Sequence, residues 1–134
     1  MPRYEDELIK NLESFFQNRQ EIVFAWLFGS YAEKTNNRYS DLDIAVYVQD
    51  KTLLSDTDWY LGLKAELTAF VKQEVDLVLL NLATPLVKHV ANMRKVVLLS
   101  REPVFEAEYS LRIIHEYNDV RYWAGKTRER LLER

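Results

Sequence analysis

Hydrophobic residues recur along the chain in two patterns, and each pattern predicts a different kind of element. In some segments they return at three- and four-residue spacings, which is typical of one face of an amphipathic helix. In shorter segments they run without a polar break and are rich in β-branched and aromatic residues, which favours buried strands. Helices are predicted over 4–17, within 31–40, from 55 or 56 to about 72, from 84 onward and over 103–132, and strands over 21–28, 41–48, 75–80 and 95–99. Because helices and strands alternate, we expect an α/β (α+β) fold with one mixed sheet of about four strands. Helices would pack against this sheet, the C-terminal one being long.

The length and the charge narrow the class of protein. With 134 residues, of which 48% are hydrophobic, the chain is predicted to form a single domain over 1–134. The net charge is −3, so no overall positive field would hold a nucleic-acid backbone, and we expect no direct binding to nucleic acid. No apolar run approaches the ~20 residues needed to span a bilayer, and the chain has no cysteine. We therefore expect a cytoplasmic protein that does not bind membranes.

The most informative stretch begins at Gly29-Ser30 and, after ten residues, reaches Asp41-Leu42-Asp43. Because side chains alternate along a strand, Asp41 and Asp43 are predicted to point to the same face. Neighbouring carboxylates repel each other, and a hard divalent cation relieves that repulsion, so magnesium is the expected ion. Gly29 lets the backbone come close to a ligand, and Ser30 offers a hydroxyl where free helix N–H groups attract phosphate. The sequence therefore predicts a metal site that faces a phosphate site; a turn followed by a solvated strand edge is the structural alternative.

A third acid, Asp76, lies within the apolar predicted strand 75–80. A charged side chain embedded there would be costly without a partner, so we expect it to join the pair of aspartates. From an adjacent strand its carboxylate could take a proton from an attacking hydroxyl while sharing a second metal ion. An ion pair with a nearby lysine or arginine would also explain an acid in this position.

Together these residues resemble a known family. Gly29-Ser30, ten residues, Asp41-x-Asp43 and the later Asp76 are similar to the pattern of the DNA polymerase β-like nucleotidyltransferase superfamily. Because the chain is small, it resembles the minimal nucleotidyltransferase (MNT) group over most of its length. The resemblance implies a polymerase β-like nucleotidyltransferase fold. It also implies an antitoxin that transfers AMP from ATP to a tyrosine of a HEPN-domain toxin, a ribonuclease, within a hetero-oligomer.

The resemblance further implies a role for each residue of the pattern. Asp41 and Asp43 would bind Mg²⁺. Asp76 would complete the metal-binding triad and serve as the catalytic base. Gly29 and Ser30 would hold the triphosphate of ATP, and pyrophosphate would be the leaving group.

The chain departs from the family pattern directly after the glycine and serine. Family members often have Gly-Ser-x-Ala-Arg-Gly, whereas this chain continues Tyr31-Ala32-Glu33-Lys34. The arginine on the phosphate side is missing, which would weaken catalysis or abolish it. Lys34 or Arg38 would compensate as a nucleotide-binding point charge, although neither presents a fork fixed in the same place. The ordinary alternative is that both are solvated loop charges.

Two other functions stay open at the level of sequence. A non-catalytic antitoxin would neutralise the toxin by masking its surface, which the missing arginine favours. A nucleotidyltransferase could instead act on a small molecule such as an antibiotic, although we expect no domain for recognising one. The C-terminal stretch Arg121–Arg130 adds basic and aromatic residues. It indicates either a face for an acidic partner or another subunit, or a solvated helix end whose cations suit the helix dipole.

Overall fold

The computed structural model describes residues 4–29 and 41–132, and this part of the chain forms four α-helices and four strands. In chain order they are α1 (Tyr4–Gln17), β1 (Ile22–Phe28), β2 (Leu42–Val48), α2 (Thr57–Val71), β3 (Val75–Leu79), α3 (Pro85–Asn92), β4 (Val96–Ser100) and α4 (Pro103–Leu132). The predicted elements in the described ranges are confirmed, with small shifts at their ends. Two short 3-10 helices, Lys51–Ser55 and Leu80–Leu82, have no counterpart in the predicted pattern. The helix predicted within 31–40 lies outside the described residues.

The four strands form one mixed sheet in the order β3-β2-β1-β4. The strand β1 pairs antiparallel with both β2 and β4, whereas β2 and β3 run parallel. The connection between the two parallel strands contains α2, as a parallel pair requires a crossover. Consequently the start of β2, the start of β3 and the end of β1 meet at one end of the sheet.

Helices cover both faces of the sheet and create a hydrophobic core on each. One core cluster joins α1 and α2 to alternate residues of β2, among them Leu42, Ile44 and Val46. The second cluster joins α3 and α4 to the opposite face, where Phe24 and Trp26 of β1 are fully buried. Every residue of β1 is buried because this strand has neighbours on both sides and helices over both faces. Its unbroken apolar sequence follows from that position.

Polar side chains set where two of the helices begin. Asp56 caps α2, since its side chain accepts a hydrogen bond from the backbone N–H of Trp59 at 3.0 Å. Thr84 caps α3 in the same way, because its hydroxyl accepts from the N–H of Val87 at 3.3 Å. Of the two residues predicted to cap α2, Ser55 and Asp56, the aspartate is the one that does so.

Arg101, directly after β4, forms hydrogen bonds with the C-terminal end of α1. Its guanidinium donates hydrogen bonds to the backbone carbonyls of Phe16, Gln17, Arg19 and Ile22, at 3.0 to 3.2 Å. The last carbonyls of a helix have no partner within the helix, and a cation is favourable at that end. One side chain therefore completes the end of α1 and the turn that leads into β1.

The last helix, α4, divides into two halves. The first half packs on the sheet, where Tyr109 and Ile113 are buried. From 118 to 132 every residue is exposed, and we call this stretch the projecting segment. At ~1.5 Å per residue the projecting segment extends about 22 Å. Within the described ranges, no helix combines the length and the apolar character that crossing a bilayer requires.

Candidate active site

Three aspartates lie at the end of the sheet where β2 and β3 begin. Asp43 of β2 and Asp76 of β3 are partners in the parallel register, and such partners have side chains on the same face. Asp41 precedes Asp43 by two residues, so the alternation of side chains directs it to that face as well. The structure therefore brings together the three acids that the sequence pattern singles out.

Gly29 follows β1 directly beside these carboxylates. The last residue of β1, Phe28, is paired with Asp43 across the antiparallel register. Gly29 has a φ of 74°, in the left-handed region that favours glycine. A Cβ on Gly29 would lie 2.2 Å from Oδ2 of Asp43, so a side chain there would displace the carboxylate. The absence of a side chain at Gly29 therefore leaves room for the Asp43 carboxylate. The sequence pattern alone does not indicate this contact.

Burial and like charge act together on Asp43. Its side chain is half-buried, whereas Asp41 and Asp76 are exposed. Burial raises the pKa of the Asp43 carboxyl above its ordinary value, and the charges of Asp76 and Asp41 raise it further. The ionised form of Asp43 is therefore less favourable than that of a solvated aspartate. A cation placed among the three carboxylates would favour it.

The expectation that Asp76 is embedded among apolar residues is wrong. Val75 and Leu77 are buried on one face of β3, whereas Asp76 points to the other face and is exposed. This exposure arises because β3 is an edge strand and its face is open to solvent at this point. Within the described ranges no lysine or arginine forms an ion pair with Asp76. The ion-pair alternative therefore has no partner in that part of the chain.

The fit of the three aspartates to a magnesium ion rests on donor type and charge. In residues 4–29 and 41–132, no three His, Asp or Glu side chains are arranged so that they could hold a metal ion. The aspartates share a face without converging on one point. Their oxygens are nevertheless the donors that Mg²⁺ selects. Burial, and after it the charges of Asp76 and Asp41, raises the pKa of Asp43, and a bound cation would oppose both effects.

Of the residues predicted to bind the nucleotide, only Gly29 belongs to the described part of the chain. Ser30, Lys34 and Arg38 lie outside the described residues. The structure therefore describes the three carboxylates of the site and, of the residues predicted to bind the nucleotide, Gly29 alone.

A half-buried polar cluster around Trp26, on the same sheet face as Asp43, has no local sequence signature. Trp26 lies two residues before Phe28 and is fully buried. Its indole N–H donates a hydrogen bond to Glu106 of α4 at 2.6 Å, and Nζ of Lys95 lies 4.3 Å from the centre of its ring. Burial lowers the pKa of Lys95, an effect that the nearby Glu106 opposes. These residues come from three separate segments, and they fix the sheet from which the Asp43 side chain extends.

The sequence is similar to those of known nucleotidyltransferases. The profile of the family described as polymerase beta, nucleotidyltransferase, matches residues 10–103, which include Gly29 and all three aspartates. Protein adenylyltransferase MntA of Shewanella oneidensis is 39% identical over 80 residues, which make up 60% of this chain and 53% of that protein. The match thus spans about half the length of this relative.

Solved structures extend the likeness to the whole fold. A chain from the crystal structure of a toxin–antitoxin with AMP-PNP has a TM-score of 0.73 at 25% identity, covering 97% of this chain and 99% of that one. A chain from the complex of a tri-AMPylated Shewanella oneidensis HEPN toxin with MNT antitoxin has a TM-score of 0.68 at 22% identity. That match covers 96% of this chain and 95% of the other. The predicted polymerase β-like fold, with its mixed sheet and long C-terminal helix, is confirmed.

Proposed function

Because the chain belongs to the polymerase beta nucleotidyltransferase family, we propose that it transfers AMP from ATP to a tyrosine hydroxyl of a HEPN-type toxin and so acts as its antitoxin. Three observations support the nucleotide, the reaction and the partner. The similar MntA is named a protein adenylyltransferase. One similar structure is a toxin–antitoxin with AMP-PNP, an ATP analogue. Another contains a tri-AMPylated HEPN toxin with MNT antitoxin.

The pairing of Asp43 with Asp76 on adjacent parallel strands is the observation that carries the proposal. Phosphoryl transfer depends on positioning the reacting groups and on neutralising charge, and it needs little other chemistry from the protein. Two strands in fixed register hold the backbone positions of Asp43 and Asp76 side by side before substrate arrives. Gly29 keeps the Asp43 carboxylate against the backbone at the end of β1.

Each aspartate has a proposed role. Asp41 and Asp43 would hold Mg²⁺, and Asp76 would complete the set from the neighbouring strand. When bound, the ion would supply positive charge to the phosphate oxygens. Because Asp76 is exposed, a hydroxyl carried by another protein can reach its carboxylate.

In the proposed reaction the tyrosine oxygen attacks the α-phosphorus of ATP. The bond between these two atoms forms, the bond from the α-phosphorus to the bridging oxygen breaks, and pyrophosphate leaves with the electron pair. Asp76 accepts the phenolic proton. Gly29 and Ser30 would hold the triphosphate, with Lys34 or Arg38 in place of the missing arginine. We expect this reaction in the cytoplasm, in a complex of the two proteins, and within one domain over 1–134.

The test combines the full chain with each labelled nucleoside triphosphate, MgCl₂ and the HEPN-domain protein of a neighbouring reading frame. Intact mass should show that the HEPN protein gains AMP from ATP. Asp43→Asn should abolish this transfer because it removes metal-binding charge without removing volume. Asp76→Asn should slow transfer about 10²- to 10⁴-fold while ATP binding persists. Asp58→Asn, at an exposed aspartate in the first turn of α2, is the matched control, and unchanged transfer in the two site variants would refute the assignment.

A second candidate function is neutralisation by binding alone. The exposed projecting segment of α4 favours it, because it offers a surface that a partner could cover. The double variant Asp43→Asn, Asp76→Asn separates the two functions. Growth protection by this variant without AMP transfer would favour masking, whereas loss of protection with toxin binding retained would favour catalysis.

A further inference from the structure

The face of α4 that packs on the sheet continues into the projecting segment. Tyr109 and Ile113 are buried on this face, and residues at spacings of three and four carry it forward along the helix. Beyond Ile113 they are Tyr117, Val120, Ala124, Thr127 and Leu131. Such spacing keeps a seam on one side of a helix, turned toward a partner. We call the last four of these residues the stripe.

The stripe is largely apolar and open to solvent. Val120 is 48% exposed, Leu131 is 63% exposed, and Trp123, which borders the stripe, is 63% exposed. A helix of about 15 residues is marginal on its own in water, and Gly125 near the middle of this one lowers its stability further. A Cβ on Gly125 would have nothing within 4 Å, so no described neighbour supports the helix there. A partner that covers the stripe would stabilise it.

The charges are unevenly distributed around the projecting segment. At ~100° per residue, Arg121 and Arg128 border the stripe on one side and Arg130 borders it on the other. Asp119 lies on the same side as Arg130, about 20° from it, and Glu129 lies on the far side. Residues 119–134 include five basic and three acidic side chains, although the whole chain carries −3, so the remaining residues carry a net −5. A surface that covers the stripe must therefore offer an apolar centre, with acidic groups on the side of Arg121 and Arg128.

We infer that the projecting segment is a docking helix for an acidic, apolar-centred surface of the partner protein. Trp123 and the stripe form its anchor, and the three bordering arginines form its rim; tryptophan and arginine are the residues that most often dominate such interfaces. An open recess of about 580 Å³ beside Trp123 has room for a side chain of the partner, and its other lining residues are Arg112, His115, Glu116, Asp119 and Val120. This inference rests on the proposed function in taking the partner to be the HEPN-type toxin. Two antiparallel copies of α4 would set Arg121 and Arg128 of one copy against the same arginines of the other, and this repulsion disfavours a second copy as the occupant.

The test measures the affinity of the full chain for the HEPN-domain protein by calorimetry, separately from AMP transfer. The double variant Val120→Asp, Trp123→Ala should bind at least about tenfold more weakly. Leu111→Ala is the matched control, because Leu111 is 57% exposed on the side of α4 opposite the stripe, and this variant should bind normally. A charge variant, Arg121→Glu with Arg128→Glu, should bind about tenfold more weakly at low salt and lose most of its salt dependence.

Each outcome separates the docking inference from the proposed chemistry. Normal affinity in both the apolar and the charge variant would overturn the inference, even if AMP transfer is observed. A dimer of this chain that Val120→Asp, Trp123→Ala abolishes, with toxin binding unchanged, would overturn it in favour of a second copy. Binding that depends on the stripe without any AMP transfer would support docking and contradict the proposed chemistry. No binding by the unaltered chain would overturn both; circular dichroism and ATP binding verify that the variants fold.

Discussion

Gly29 and Asp43 share one small space, since a Cβ on the glycine would stand 2.2 Å from Oδ2 of the carboxylate. The positive φ of Gly29 lets the chain turn sharply at the end of β1. The glycine of the motif is therefore required by its acid as well as by any phosphate that approaches the backbone. The motif is a packed unit that joins the ends of two antiparallel strands.

Gly29→Ala is expected to reduce AMP transfer at least tenfold by displacing the Asp43 carboxylate. The left-handed backbone adds strain, of about 1–2 kcal/mol for a residue with a side chain, so the protein should still fold. Transfer rate and urea unfolding measure the two effects separately. Gly62→Ala is the control: its Cβ would meet nothing within 4 Å in α2, so stability should rise by roughly 0.5–1 kcal/mol with transfer unchanged. Full activity in Gly29→Ala would contradict the packing argument.

Asp43→Asn is expected to raise the melting temperature in metal-free buffer at pH 7. Burial and the two neighbouring aspartates raise the pKa of Asp43, so its contribution to stability is present below its ordinary pKa and is lost as pH rises through the raised one. At pH 7 the ionised side chain therefore opposes folding. Added MgCl₂ should raise the melting temperature of the unaltered chain and have little effect on the variant. NaCl of equal ionic strength is the control, and a variant that melts lower than the parent would speak against this electrostatic picture.

Alkaline pH is expected to destabilise the protein through Tyr109. Burial, with smaller effects of Tyr47 and Glu116, raises the pKa of Tyr109 from 10.0 to about 12, although Arg112 opposes the shift. A raised pKa means that the stabilisation is complete below pH 10 and is lost as pH rises toward 12. We expect a loss on the order of 1–2 kcal/mol in the free energy of unfolding, allowing for partial exposure.

Tyr109→Phe isolates this effect. The variant lacks the hydroxyl that donates to the Leu80 carbonyl at 3.2 Å, so it should be less stable at pH 8 and should lose less stability between pH 10 and 12. Lys95 acts in the opposite sense, because burial lowers its pKa and stability therefore rises with pH toward its ordinary value. Urea unfolding of both proteins across this range is the measurement, and parallel pH profiles would rule out Tyr109 as the source.

Arg101→Met is expected to lower the free energy of unfolding by about 2–4 kcal/mol. The substitution keeps an apolar stem but removes four hydrogen bonds to carbonyls at and after the end of α1, and part-buried carbonyls left without donors are costly. Urea unfolding followed by far-UV circular dichroism measures the change. Arg112→Met, which removes an exposed cation from above the rings of Phe105 and Tyr109, should cost about 0.5 kcal/mol. A similar loss in the two variants would show that Arg101 has no special role.

Local periodicity predicted the elements because each helix and strand has its own hydrophobic pattern. The alternation of apolar and polar residues in Val75-Asp76-Leu77 already indicated that Asp76 points away from the core. The prediction instead followed the long apolar run around Asp76. The partnership of Asp43 and Asp76 was predicted because a charged side chain within an apolar strand was expected to need a partner. Their exact register, by contrast, is a property of the assembled sheet.

Contacts between distant segments could not be predicted from one sequence. Trp26 and Glu106 are 80 residues apart, and neither lies in a pattern that indicates a hydrogen bond between them. The four carbonyls that accept hydrogen bonds from Arg101 lie near it only because β4 pairs with β1 in the sheet. From the C-terminal stretch Arg121–Arg130 we predicted either a face for a partner or a solvated helix end. The structure shows that the projecting segment is exposed, and the docking inference starts from that exposure.

The position of Arg101 late in the sequence also affects folding during translation. During translation α1 and β1 leave the ribosome first, yet the central strand gains its second neighbour, and α1 its terminal donors, only when β4 and Arg101 follow. Until then the nascent chain exposes an unpaired strand edge, which is prone to association with other chains. Synthesis that stalls before residue 101 should therefore release aggregation-prone fragments.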